Sequence, residues 1–159
     1  MEIRIRKATK DDMPRVRELI VELAVYEKEP DAVEVTLAEL ETYGFGDKAM
    51  FTCFLAEVNN TVVGMALVYF KFSTWKGRVL YLEDLIVTEQ MRGKGVGKKL
   101  YEKVMEFGKD NGVKRVDWVV ISWNKGAVKF YEQSGAKVLT EWHPVEMDAA
   151  GISNIVANK

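Results

Sequence analysis

The chain has 159 residues, 48% of them hydrophobic and 30% charged, with a formal net charge of −1. A length of this order suits one domain with one sizeable core, and the balance of apolar and charged residues excludes a disordered chain. The absence of a basic excess argues against nucleic acid as a partner, and one cysteine (Cys53) with one histidine (His143) is too few for a disulfide or a common zinc set.

Residues 2–7 alternate in character and predict a strand; they lack the apolar run of a signal peptide. No stretch reaches the roughly 20 apolar residues needed to span a bilayer, so the expected location is the cytoplasm. Thr9 with Asp12 predicts a helix start, and Met13, Val16, Ile20 and Leu23 recur at helical spacing. Pro30 is expected to end that helix. Thr36-Leu37-Ala38-Glu39 reads as a capping box opening a short helix that closes at Gly44 and Gly46. Three strands are expected next, over 50–58, 61–72 and 78–87, forming an antiparallel meander around the Asn59-Asn60 turn. A helix over 95–111, a strand over 113–121, a helix over 125–134 and a strand over 136–142 complete the prediction. The sum is one α/β domain over 1–159, with a central mixed sheet flanked by helices.

The most informative stretch is Gln90-Met91-Arg92-Gly93-Lys94-Gly95-Val96-Gly97-Lys98-Lys99. It joins a strand to an amphipathic helix. Glycines allow close backbone approach, and helix N-terminal N–H groups suit a phosphate, most simply a pyrophosphate. Arg92, Lys94, Lys98 and Lys99 add positive charge. A P-loop loses ground because Lys99 stands where Ser or Thr is required, and a dinucleotide loop loses ground because the GxGxG spacing differs from its fingerprint.

These residues resemble the pyrophosphate loop of the GNAT superfamily of N-acetyltransferases, [R/Q]-x-x-G-x-[G/A]. Asn124 to Ala136 is similar to the same family's N-x-x-A-x-x-F-Y-x-x-x-G-[A/F] helix. Within the superfamily the likeness is to the spermidine/spermine (diamine) and thialysine N-acetyltransferases, carried by Glu22 to Glu27, Gly44-Phe45-Gly46, Trp75-Lys76-Gly77 and Leu80 to Val87. Leu85-Ile86 departs from the aromatics common there, and the segment from Glu141 matches poorly.

The resemblance implies an acyl-CoA N-acyltransferase fold. It also implies direct transfer of an acetyl group from acetyl-CoA to a small primary amine in a ternary complex, without a metal, and a homodimer. The alternatives are a protein N-terminal or lysine acetyltransferase, or a CoA-binding sensor without transfer activity. It places Arg92, Gly93, Lys94, Gly95, Val96, Gly97 and Lys98 on the pyrophosphate. Leu85, Ile86, Val87, Asn124, Ala127 and Tyr131 would lie along the pantetheine arm. From spacing alone Tyr131 is a packed helix tyrosine; the resemblance makes it the general acid, since a phenol returns a proton to a leaving thiolate. Glu83 is expected to be the base or the substrate anchor, on the reasoning that adjacent strand residues face opposite sides and only one of Glu83 and Asp84 enters a pocket. Tyr26 and Glu27, with Glu29, Asp31 and Glu34 nearby, are expected on the amine side. Cys53 reads as a buried strand thiol.

Overall fold

Four strands follow one another through the sheet in chain order: β1 (Arg4–Lys7), β2 (Thr52–Val58), β3 (Thr61–Ser73) and β4 (Gly77–Val87), each antiparallel to the next. A fifth, β5 (Val116–Asp117), lies parallel to β4 and makes the sheet mixed. The computed structural model describes residues 1–157. The chain divides into two compact units, Met1–Val119 and Val120–Lys159.

Local chemistry accounts for most element boundaries in the first unit. Asn59 and Asn60 both take positive φ, 50° and 61°, the geometry of a tight hairpin turn whose twist matches the flanking strands. Helix α1 (Met13–Tyr26) follows a 3-10 turn over Lys10–Asp12. Its end differs from expectation: Pro30 is not the terminator. Lys28 takes φ 68°, Lys28 N–H donates to Val25 O and Glu29 N–H to Ala24 O. This is the Schellman closure, formed here without glycine. Helix α2 (Leu37–Gly44) opens on the predicted capping box: Glu39 N–H donates to Thr36 Oγ1 at 3.2 Å, and Thr36 N–H to Glu39 Oε2 at 2.8 Å. Helix α3 (Val96–Asp110) buries Val96, Leu100, Tyr101 and Val104 at helical spacing.

The sheet separates two apolar layers. On one face Phe54, Ala56, Ala66, Val68, Leu80 and Leu82 pack with Leu100 and Val104 of α3. On the other, Leu55, Met65 and Ile86 pack with Met13, Val16 and Leu19 of α1 and Leu40 of α2.

Two expected strands are corrected. The strand over 113–121 contracts to Val116–Asp117, which pairs only with Leu80 and Tyr81. After Asp117 the reason lies in β4, whose hydrogen-bonding phase changes two residues after Tyr81. The strand over 136–142 does not form. That segment pairs with no strand among the described residues, and Leu139 and Trp142 are exposed. The second unit instead holds α4 (Lys125–Gln133) and α5 (Ala149–Ala157), the latter opened by Asp148, whose Oδ1 accepts from Gly151 N–H at 2.7 Å. Residues 158 and 159, which the single-domain expectation includes, lie outside the described residues.

Candidate active site

The register of β3 with β4 shifts once. Leu67 faces Asp84 and Val68 faces Leu82, so Glu83 is an extra residue in β4. Leu82 before it and Leu85 after it both pack in the α3 layer, although they are an odd number of positions apart. The bulge therefore turns Glu83 and Asp84 together toward the opposite face, the one carrying Ile86, Tyr69 and Tyr81. This corrects the expectation that only one of the two acids enters a given pocket: the strict alternation of side chains fails at an inserted residue.

Asp84 is the residue that sequence reasoning missed. Its carboxyl is pushed up to about 6, first by burial and then by the negative charges of Glu83 and Glu27. Glu27, directly after α1, is half-buried, and burial raises its carboxyl too. Tyr69 on β3 is raised to about 12 by burial, by the charge of Glu83 and by hydrogen bonding to it. Tyr81 is raised by burial and then by Glu83 and Asp117. Three carboxyls from two elements thus surround one place on the sheet beside a pair of tyrosine rings 5.2 Å apart. Two polar residues in sequence within the apolar run Leu80 to Val87 were the available signal for the bulge.

The bulge also re-aims the backbone. Leu80 N–H donates toward β5, to Arg115 O at 3.1 Å, whereas Thr88 N–H donates toward β3, to Val63 O at 2.9 Å. These residues are an even number of positions apart and would point the same way in an unbroken strand. The inversion means that Leu85 and Val87 direct their main-chain groups away from β3, past the point where β5 pairing ends. Val87 O accepts from Arg92 Nε at 2.9 Å; Ile86 is a buried packing residue.

The glycine loop follows directly. Gly93 and Gly95 hold φ of 74° and 84°, and an added Cβ at either meets nothing within 4 Å. Both positions therefore demand glycine for conformation and leave open space around the backbone. Lys99 N–H donates to Gly95 O, so the N–H groups of Val96, Gly97 and Lys98 precede the helical ladder. Val96 is buried and anchors the helix start. Arg92 is engaged elsewhere: besides Val87 O, its guanidinium lies 4.5 Å from the Tyr26 ring centroid, tying the loop to the end of α1. Lys98 Nζ lies 3.7 Å from Glu102, and Lys94 Nζ 3.7 Å from the Met91 sulfur. The main chain, more than these side chains, is what the loop offers an anion.

The second unit carries Asn124, Ala127 and Tyr131. Asn124 caps α4, its Oδ1 accepting from Ala127 N–H at 3.2 Å. Tyr131 is buried, its ring edge-on to Phe130 at 5.5 Å. Cys53 is buried, as expected, and its thiol is pushed up to about 12 by burial and the Asp84 charge.

A model of the acetyltransferase (GNAT) family matches residues 13–136. A thialysine N-epsilon-acetyltransferase of Bos taurus is 40% identical over 89% of this chain and 89% of its own length. A human spermidine/spermine N(1)-acetyltransferase-like protein 1 is 36% identical over 87% of the chain, which corresponds to 21% of that longer protein. Among solved structures, an integron cassette protein from the V. cholerae mobile metagenome superposes with a TM-score of 0.79 at 24% identity, covering 98% of both chains, a likeness of fold. The chain belongs to the acetyltransferase (GNAT) family.

Proposed function

We propose that this enzyme transfers the acetyl group of acetyl-CoA to a small primary amine, acting as one domain over 1–159. The observation that carries the reading is the pairing of the left-handed glycine loop at the start of α3 with the outward-turned main chain of β4. The N–H groups at Gly93 to Lys98 receive the pyrophosphate, and the edge at Leu85 to Val87 runs alongside the pantetheine arm. Asn124 and Ala127 are assigned to the same arm through the α4 motif.

In this reading the amine enters against Glu27, Glu83 and Asp84, with Tyr26 at its margin. Its pKa lies well above neutrality, so it must lose a proton before its nitrogen attacks the thioester carbonyl. Glu83 takes that proton, directly or through water, and Asp84 is suited to share the role because its raised carboxyl is a better proton acceptor than an ordinary one. A main-chain N–H on the free edge of β4 stabilises the developing oxyanion. After attack the nitrogen loses its second proton to solvent, the C–S bond breaks, and the thiolate takes the Tyr131 proton, which solvent restores. A homodimer, on resemblance alone, and a location in the cytoplasm complete the proposal.

The test is thiol release from acetyl-CoA across diamines, polyamines, thialysine-like amino acids and peptides, with calorimetry on Gly95→Asp. Turnover of small amines and a drop in acetyl-CoA affinity of about tenfold or more are expected from added bulk, charge and backbone strain. Unchanged affinity overturns the loop assignment; turnover of peptides alone overturns the small-amine assignment.

A further inference from the structure

The sheet face that carries Glu83 and Asp84 continues along β3 and β4 to Tyr69, Tyr81 and Lys71, and it ends in charges of the other sign. Lys71 Nζ reaches across β4 to Asp117 Oδ2 at 2.7 Å and sits 4.8 Å from the centroid of the Tyr81 ring. Arg115 grips the same carboxylate, Nε to Oδ1 at 2.7 Å and Nη2 to Oδ2 at 3.0 Å. Two cations therefore share one anion, and the cluster keeps one uncompensated positive charge. Lys71 stays accessible, with its side chain 38% exposed.

Lys71 pairs with Val79, and Leu67 pairs with Asp84. Four residues of strand separate the two ends, about 13 Å at ~3.3 Å per residue. The stem of Lys71 shortens this by carrying its ammonium back over Tyr81. A ligand lying along the face meets three carboxyls at one end, two tyrosine rings in the middle and a cation at the other. A second ammonium at the far end would be repelled there, whereas a carboxylate would be attracted.

We propose that Lys71 is a specificity-determining residue, selecting acceptors that carry a carboxylate remote from the reacting amine over diamines of the same chain length. This rests on the reading of the Glu83–Asp84 end as the amine site. Its contribution is to binding the remote group, which does not change during the reaction, so it acts on KM and leaves kcat nearly constant.

The experiment compares L-lysine with cadaverine, which differ only by the carboxylate, using kcat/KM for acetyl transfer in the wild type, Lys71→Met, Lys71→Glu and Lys71→Arg. The wild type should favour L-lysine. The preference should fall about fivefold in Lys71→Met and about tenfold or more in Lys71→Glu, the scale of a partly exposed charge interaction. It should persist in Lys71→Arg. Arg115 remains to hold Asp117, so the melting temperatures should stay close together. A wild type that favours cadaverine, or a ratio unmoved in Lys71→Glu and Lys71→Met while transfer continues, overturns the role of Lys71 alone. If acetyl-CoA binds but no amine is acetylated, the amine-transfer reading falls and this inference with it.

Discussion

On the α3 side of the sheet, Val68, Leu80 and Leu82 meet Leu100 and Val104 in a continuous apolar layer. On the α1 side the same strands begin alike, burying Leu55, Met65 and Ile86, and then change to Tyr69, Lys71, Tyr81, Glu83 and Asp84. The difference is one of length. Helices α1 and α2 cover one end of the second face, and past them the strands carry groups that would be costly to bury unpaired. One face of this sheet holds the fold together, and the other carries polar and charged groups beyond α1 and α2. The bulge at Glu83 sits at that boundary and supplies two acids where a regular strand would supply one.

The largest test of this contrast is Leu100→Ala. Leu100 is fully buried, and its removal leaves a cavity between α3 and β3. The expected loss is about 2–5 kcal/mol in denaturant unfolding. A loss below about 1 kcal/mol would mean that the α3 layer is not the main source of stability.

Asp84→Asn probes the opposite face with the opposite sign. Because the folded-state carboxyl is raised to about 6, ionising Asp84 costs stability. The cost is absent below the ordinary carboxylate pKa, near ~4, and grows as pH rises through about 6, where it becomes complete. The amide should therefore stabilise the fold by roughly 2–3 kcal/mol at pH 8 and by little at pH 3.5, while lowering turnover. Melting curves at the two pH values read this directly. Equal effects at both would remove Asp84 from the list of titrating groups.

What the sequence disclosed and what it withheld divide along a physical line. The capping box at Thr36 and Glu39, the Asn59-Asn60 turn and the glycines at 93 and 95 are set by neighbours a few residues away, and each formed as expected. The partner strand decides the remainder. Glu83 is an inserted residue only because Leu67 and Val68 face Asp84 and Leu82, a fact of register that β4 alone does not encode. The end of β5 at Asp117 follows from that same bulge. Arg92 looked like a phosphate ligand from its place in the loop. Its bond to Val87 O and its place over the Tyr26 ring depend on α1, far away in sequence.

The smallest effect should come from Tyr69→Phe, and it completes the contrast. Tyr69 lies on the polar half of the face, partly exposed, with its ring 5.2 Å from that of Tyr81. Phenylalanine keeps the ring and removes only the hydroxyl that faces Glu83. At pH 7 the phenol is neutral in the folded and unfolded states, so its raised pKa contributes nothing to stability there. The change should stay within about 0.5 kcal/mol, as for substitutions that break no buried network. At alkaline pH the sign becomes definite. The folded phenol is held at about 12 while the unfolded one ionises near its ordinary 10, so the wild type loses stability as pH rises through that interval. Tyr69→Phe lacks the group and should be the more stable protein above pH 10. Turnover at neutral pH should fall only a few-fold if the hydroxyl merely orients Glu83, a loss well below that of Glu83→Gln, for which about 10²-fold or more is expected of a general base. A loss at neutral pH as large as that of Glu83→Gln would put the Tyr69 hydroxyl among the reacting groups, and the division between a holding face and a working face would then have to include β3 as well as the bulge in β4.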